Sequence, residues 1–292
     1  MKKHSFGTKP KKIIWLQVAG LSSSHFAALK YVDGKTNTRV ALESSQCVGK
    51  IWNYNLFKIR PSAKDQMLSQ VTGTKNIEKG CPKSQKVFVD KSLGDLGYEL
   101  GQYRFGDESF ASCERFDSSV LWMSRSRKEK NSLEFHYQEM GSFKLGETYN
   151  DKSCGAQGCF TDIAKNIDAI QSSYFKGKNY YFFNIQIYEY EKLLKEKNFE
   201  KALELLQQIN QAISNLIKKE GEDTLVLVST TSPIDLVFPK QGQEWSKVNS
   251  SIRRSKSNLS GEVFAFGASS EKFCGVYDSN EISHRLLHNF NL

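Results

Sequence analysis

The chain has 292 residues, 39% of them hydrophobic and 12% aromatic, a composition that excludes a disordered or fibrous protein. No run approaches the ~20 apolar residues of a membrane span, and the length allows about three quarters of the unfolded surface to be buried. The net charge is +9, from 41 basic and 32 acidic residues. Its basic clusters, at 2–3, 9–12, 125–128 and 253–256, are scattered and lack an accompanying aromatic motif. They therefore read as solvated surface rather than as a nucleic-acid groove.

Taken in chain order, residues 13–19 (IIWLQVA) read as a first strand closed by Gly20. The preceding Lys11-Lys12 gives the stretch the layout of an export signal, but Gln17 interrupts it; an exported protein would have lost its leader. Ser22 to Ser24 cap a helix running to Lys30, and a turn-rich stretch at 33–38 leads to 39–42. Pro61-Ser62 starts a helix over 62–71 that finishes at Thr72-Gly73. Residues 87–89 read as a short strand, 91–96 as a short helix, and 98–105 and 120–123 as strands. Residues 124–158 are rich in charge, Gly and Ser with weak periodicity, and read as a loop-rich insertion.

Apolar residues at 160, 163, 164, 167 and 170 predict a helix over 160–173, and YYFFNIQI at 180–187 predicts a strand. Glu189 and Glu191 mark the start of a solvated helix. The clearest helix is 199–219, with Phe199, Ala202, Leu203, Leu206, Ile209, Ile213, Leu216 and Ile217 on one face. Strands follow at 224–229 and 263–267, and a last helix runs from after Ser279 to about Asn289. Alternating strands and helices predict a single α/β domain, 1–292, whose mostly parallel central sheet carries helices on both faces.

Six cysteines are present, at 47, 81, 113, 154, 159 and 274. The tightest pair is Cys154 and Cys159 in CGAQGC, whose glycines allow a small disulfide loop; two thiols are the alternative. A zinc site needs four ligands, and no second close Cys or His pair lies beside these.

Four stretches, in order, resemble the alkaline phosphatase superfamily, which includes sulfatases and nucleotide phosphodiesterases. VFAFGASSEKFCGVYDSNEI at 263–282 is similar to that family's closing strand VPVFAYG, loop and NTEI helix start. Helix 199–219 with strand 224–229 resembles the pair leading into its Thr-Ala-Asp-His metal motif. Strand 180–187 resembles the FFLFVHL strand of sulfatases, and 61–73 resembles the nucleophile helix ending in Leu-Leu-Thr-Gly. The resemblance implies an alkaline phosphatase-like fold in abridged form. In the family, two zinc ions or one calcium act with a Ser, Thr or modified Cys nucleophile, the metal stabilising the charge that develops on phosphate or sulfate.

The residues that carry this chemistry are replaced. Where the family has Asp-Gly after the first strand, this chain has Ala19-Gly20. The nucleophile position falls on Ala63, with Ser62 one residue away. After strand 180–187 the family's Asp and His become Tyr188-Glu189-Tyr190-Glu191, and its later Asp-His pair aligns with Thr231-Ser232. Its last His falls among 256–260. Hydroxyls and alanine do not hold a catalytic dication, so the chain reads as a metal-free, cofactor-free pseudoenzyme serving as a binding or assembly module. Its partner is then an unknown protein or anionic ligand, and an extracytoplasmic location is preferred to a cytoplasmic one.

Two alternatives remain open. One is an ester hydrolase with a rearranged site, with Ser62 as nucleophile and Asp65 or Glu189 as metal ligand. The other is an anion or nucleic-acid binder, with Ser62, Thr230, Thr231 and Ser232 forming a polar pocket beside a helix N-terminus. His284 and His288, four apart on the last helix, read as surface residues rather than as a two-point metal site with Asp278 or Glu281.

Overall fold

A computed structural model describes residues 7–32, 39–78, 81–82, 89–105, 132–136, 148–149, 163–173, 175–219, 221–237, 253–254 and 259–290. In chain order the principal elements are β1 (Lys12–Ala19), α1 (Ser24–Val32), β2 (Cys47–Trp52), α2 (Ala63–Thr72), β3 (Ile77–Glu78), β4 (Cys81–Pro82), α3 (Val89–Asp95), β5 (Glu99–Phe105), β6 (Ser132–His136), β7 (Thr148–Tyr149), α4 (Ile163–Ser173) and β8 (Tyr181–Ile187). They continue with α5 (Glu189–Lys195), α6 (Phe199–Lys219), β9 (Thr224–Thr231), β10 (Leu236–Val237), β11 (Arg253–Arg254), β12 (Ser260–Gly267), β13 (Gly275–Asp278) and α7 (Glu281–Leu287).

Nine strands make one sheet in the order β13-β2-β12-β9-β1-β8-β5-β6-β7. Strand β12 pairs antiparallel with both β2 and β9, and the other pairings are parallel. The central strands β1, β8 and β9 are buried along nearly their whole length, which is why each reads as an apolar run. Because side chains alternate across a strand, β1 feeds two cores. Ile14, Leu16 and Val18 pack with α1, α4, α5 and α6 on one face. Ile13 and Trp15 pack with α2, α3 and α7 on the other.

Helix α6 lies where its periodicity predicts. Its buried stripe is centred on Leu205, Leu206, Ile209, Ala212, Ile213 and Leu216, with Leu203 and Ile217 partly buried at the margin. Several expectations need correction. Two short strands, β6 and β7, fall inside 124–158, the stretch read as loops, and extend the parallel sheet beyond β5. The alternation Ser-Leu-Glu-Phe-His is a strand signal, but at five residues it is short and its apolar pattern is weak. Val89 opens helix α3 rather than ending a strand. Strands β2 and β13 were not anticipated, although CVGKIW alternates buried and exposed along its length. Residues 120–123, Cys154 and Cys159 lie outside the described residues. Among the described residues a disulfide joins Cys47 on β2 to Cys274 just before β13, with Cα atoms 5.2 Å apart and a separation of 227 in sequence.

One buried imidazole ties the layers together. His25, on α1, has Nε2 2.6 Å from Ile234 O and Nδ1 2.8 Å from the Tyr190 hydroxyl on α5. A neutral ring satisfies both, donating from Nε2 and accepting at Nδ1. Burial lowers its pKa from 6.5 to about 4, against smaller upward effects of the Ile234 hydrogen bond and Asp235. The unfolded chain therefore binds a proton that the folded chain refuses, and stability falls as pH drops from 6.5 towards 4. Comparing wild type with His25→Asn in denaturant at pH 7 and pH 4.5 should show a pH-dependent loss of up to ~3 kcal/mol in wild type. That component should be missing from the variant.

Candidate functional site

The carboxyl ends of β1, β8 and β9 meet the N-terminus of α2, the position of ligand sites in open α/β sheets. Helix α2 starts there for local reasons. Ser62 is its N-cap, its Oγ accepting from Asp65 N at 3.1 Å, and Gly73 closes it in the left-handed conformation.

Beneath the strand ends lies a layer of buried amides. Gln17 is fully buried and uses its whole hydrogen-bonding capacity. Its Nε2 donates to Met67 O at 3.1 Å and to Gln70 Oε1 at 2.9 Å, both on α2. Its Oε1 accepts from Asn184 Nδ2 at 3.2 Å and Gln186 Nε2 at 2.9 Å, both on β8. Trp15 Nε1 donates to Ser229 Oγ, which donates in turn to Gln70 Oε1, each at 2.8 Å. Gln70 Nε2 reaches Thr230 O at 3.3 Å. The register explains the assembly: Gln17 pairs with Gln186 on one side and Ser229 on the other, so parallel pairing points all three at α2. A second clamp is Gln66, which accepts from Ser232 N at 2.6 Å and donates to Pro61 O at 2.9 Å. It holds Ser232 at φ +47°, a conformation that a non-glycine residue keeps only when its surroundings impose it.

Above this layer the site is apolar. Ala19, Ala63 and Met67 form a buried cluster with Tyr188 packed against it. Ala19 is level with Thr231 in the sheet, whose buried Oγ1 has no protein partner. Gly20 adopts φ +83°, and a Cβ there would lie 3.0 Å from Glu191 Cα, so glycine lets α5 close over the strand end. Thr230 belongs to a different contact, its Oγ1 accepting from Glu262 N on β12 at 2.7 Å. Ser62, Ala63, Thr231 and Ser232 are thus grouped around the N-terminus of α2, while the Thr230 hydroxyl serves the strand ladder.

Between α2 and α5 is a cleft of about 440 Å³ lined by Ser62, Lys64, Tyr188, Glu191, Lys192 and Lys195, among others. In its lining Glu191 lies 2.7 Å from Lys195 Nζ, and Glu189, outside the lining, lies 3.3 Å from Lys192 Nζ. Glu191 is buried, which corrects the reading of a solvated helix start, because Gly20 lets α5 pack tightly. Asp65 pairs with Lys58 at 3.5 Å. On α7, His284 Nε2 is 3.1 Å from Gly73 O, Asp278 pairs with Lys75, and Glu281 with Arg285. Among the described residues no three His, Cys, Asp or Glu side chains converge. Alanine, methionine, tyrosine and neutral hydroxyls do not fit the zinc or calcium that the resemblance implies, since such ions require carboxylate, imidazole or thiolate donors.

The amide layer was missed in the sequence, where Gln17 was noticed only as an interruption. Its signal was the recurrence of Gln and Asn within apolar strands and a buried helix: 17, 66, 70, 184 and 186. Replacing Gln17 by Leu removes one hydrogen bond from each of four buried groups at once. Denaturant unfolding should show a loss of roughly 3–5 kcal/mol, against about 1 kcal/mol for a surface amide such as Gln211.

No family model matches the chain, and no curated protein matches it. Solved structures do. The alkaline phosphatase of the Antarctic bacterium TAB5 superposes with a TM-score of 0.67 at 16% identity, over 97% of this chain and 99% of that one. A cold-active alkaline phosphatase from Shewanella gives 0.66 at 11% identity, over 95% and 99%. The lipoteichoic acid synthase LtaP from Listeria monocytogenes gives 0.58 at 13% identity, over 99% of this chain and 74% of that one. The chain has the alkaline phosphatase-like fold.

Proposed function

We propose that the chain is a catalytically silent member of this fold that acts as a binding module. The observation that carries the reading is the Ala19–Ala63–Met67 cluster, which stands where the resemblance requires a metal carboxylate and a nucleophile. Ser62, the hydroxyl nearest that position, is committed as a helix cap. The neighbouring carboxylates Asp65, Glu189 and Glu191 are neutralised by lysines. Developing negative charge on a phosphoryl or sulfuryl group would meet no dication there. The Cys47–Cys274 disulfide supports an oxidising, extracytoplasmic setting.

The decisive measurement combines metal content with ester hydrolysis. After incubation with zinc or calcium and desalting, the chain should retain far less than one ion per molecule. Its turnover of nitrophenyl phosphate and nitrophenyl sulfate should equal that of Ser62→Ala. One tightly held ion per chain, with hydrolysis abolished in Ser62→Ala, would establish the rearranged hydrolase instead. Because Ser62→Ala also removes a cap at a cost of about 1 kcal/mol, melting curves accompany the assay.

A second reading, anion binding in the cleft, is favoured by Lys64, Lys192 and Lys195 beside the α2 N-terminus. Inorganic phosphate or sulfate should then raise the melting temperature of wild type but not of Lys192→Gln/Lys195→Gln. Equal shifts in both would exclude the cleft as the site.

A further inference from the structure

The segment leaving β2 has no place in the reading above, yet among the described residues it carries the largest group of exposed apolar side chains near one another in sequence. Leu56 is 68% exposed, Ile59 73% and Phe57 46%, with Trp52 and Tyr54 at 41% and 39%. Ordinary loops expose polar residues, because apolar surface in water is unfavourable by roughly 25 cal/mol per Å².

The loop is built rather than loose. Asn55 is buried, and its Oδ1 accepts from Phe57 N at 2.9 Å and Lys58 N at 2.6 Å, while its Nδ2 donates to Ile77 O at 3.2 Å. Leu56 N donates to Lys75 O, and Asn55 N to Lys58 O. The turn therefore satisfies these main-chain donors internally while turning aliphatic and aromatic side chains outward. Such satisfaction is required of any backbone that enters a low-dielectric phase.

Charge decides what kind of phase. Between Glu43 and Asp65 the sequence has Lys50, Lys58, Arg60 and Lys64 and no acidic residue. Apolar tips protrude furthest, the amphipathic Trp52 and Tyr54 are less exposed, and cations are interleaved with them. This is the arrangement of an interfacial anchor on an anionic bilayer, with aromatic rings at headgroup level and each nearby cation worth roughly fivefold in affinity. Protein–protein interfaces share the aromatic and arginine enrichment but are depleted in lysine, whereas Lys50, Lys58 and Lys64 flank these side chains. We propose that residues 52–60 form a peripheral docking loop for anionic lipid surfaces. Strand β2 runs parallel to β1 through β12 and β9, so this loop leaves the same edge of the sheet as the cleft beside Ser62.

The test uses the full chain with vesicles of phosphatidylcholine alone and of phosphatidylcholine mixed with phosphatidylglycerol. Flotation should show binding only to the mixed vesicles, weakened at least tenfold in Leu56→Ser/Ile59→Ser and severalfold in Lys50→Gln/Arg60→Gln. Both variants should keep the wild-type melting temperature, because the replaced side chains are exposed. Binding undiminished in the apolar variant, or none to either vesicle, overturns the proposal. So does a concentration-dependent dimer in sedimentation equilibrium that Leu56→Ser/Ile59→Ser dissolves without any vesicle binding, which assigns the loop to a second copy of the chain.

Discussion

Gln17 is the constraint on which the centre of this molecule depends. A primary amide in the middle of a sheet must find partners for two donors and two acceptor positions, since each left unmet costs about 1–3 kcal/mol. Here all four are met, two from β8 and two from α2. Apolar contacts alone would allow α2 to slide along the sheet with little change in buried area. Directional bonds from Gln17, Gln70 and Gln66 do not, so the helix is held in one register over the strand ends.

That register determines what the strand ends contain. With α2 fixed, Ala63 and Met67 come down on Ala19, and Gly20 admits α5 on the adjoining side. The apolar side chains at these points form one buried cluster, with Tyr188 packed against it. The polarity near the site is neutral amide or paired charge. A fold whose solved relatives include alkaline phosphatases is in this chain arranged around an uncharged centre. At the cleft, Lys192 and Lys195 are paired with Glu189 and Glu191.

Much of the architecture was legible. Helix 199–219 was recovered to the residue because its apolar stripe runs over several turns, and the buried strands β1, β8 and β9 because both their faces are covered. The strands towards the two ends of the sheet were not. Strands β2, β6 and β13 are short, and a short alternation is indistinguishable from a loop with two apolar residues. The disulfide shows the same limit. Cys47 and Cys274 are 227 positions apart, and only sheet pairing brings them together.

The sequence by itself determined the α/β class and the resemblance in fold carried by 61–73, 180–187, 224–229 and 263–282. These are properties of local pattern and of residue identity, and they survive without coordinates. Only the tertiary structure decided that the scattered amides Gln17, Gln70, Asn184 and Gln186 form one network, that Ser62 caps a helix, and that Leu56 and Ile59 stay in water. Hydrogen-bond partners and exposure are relations between distant segments, and pairing of the strands is what brings those segments into contact.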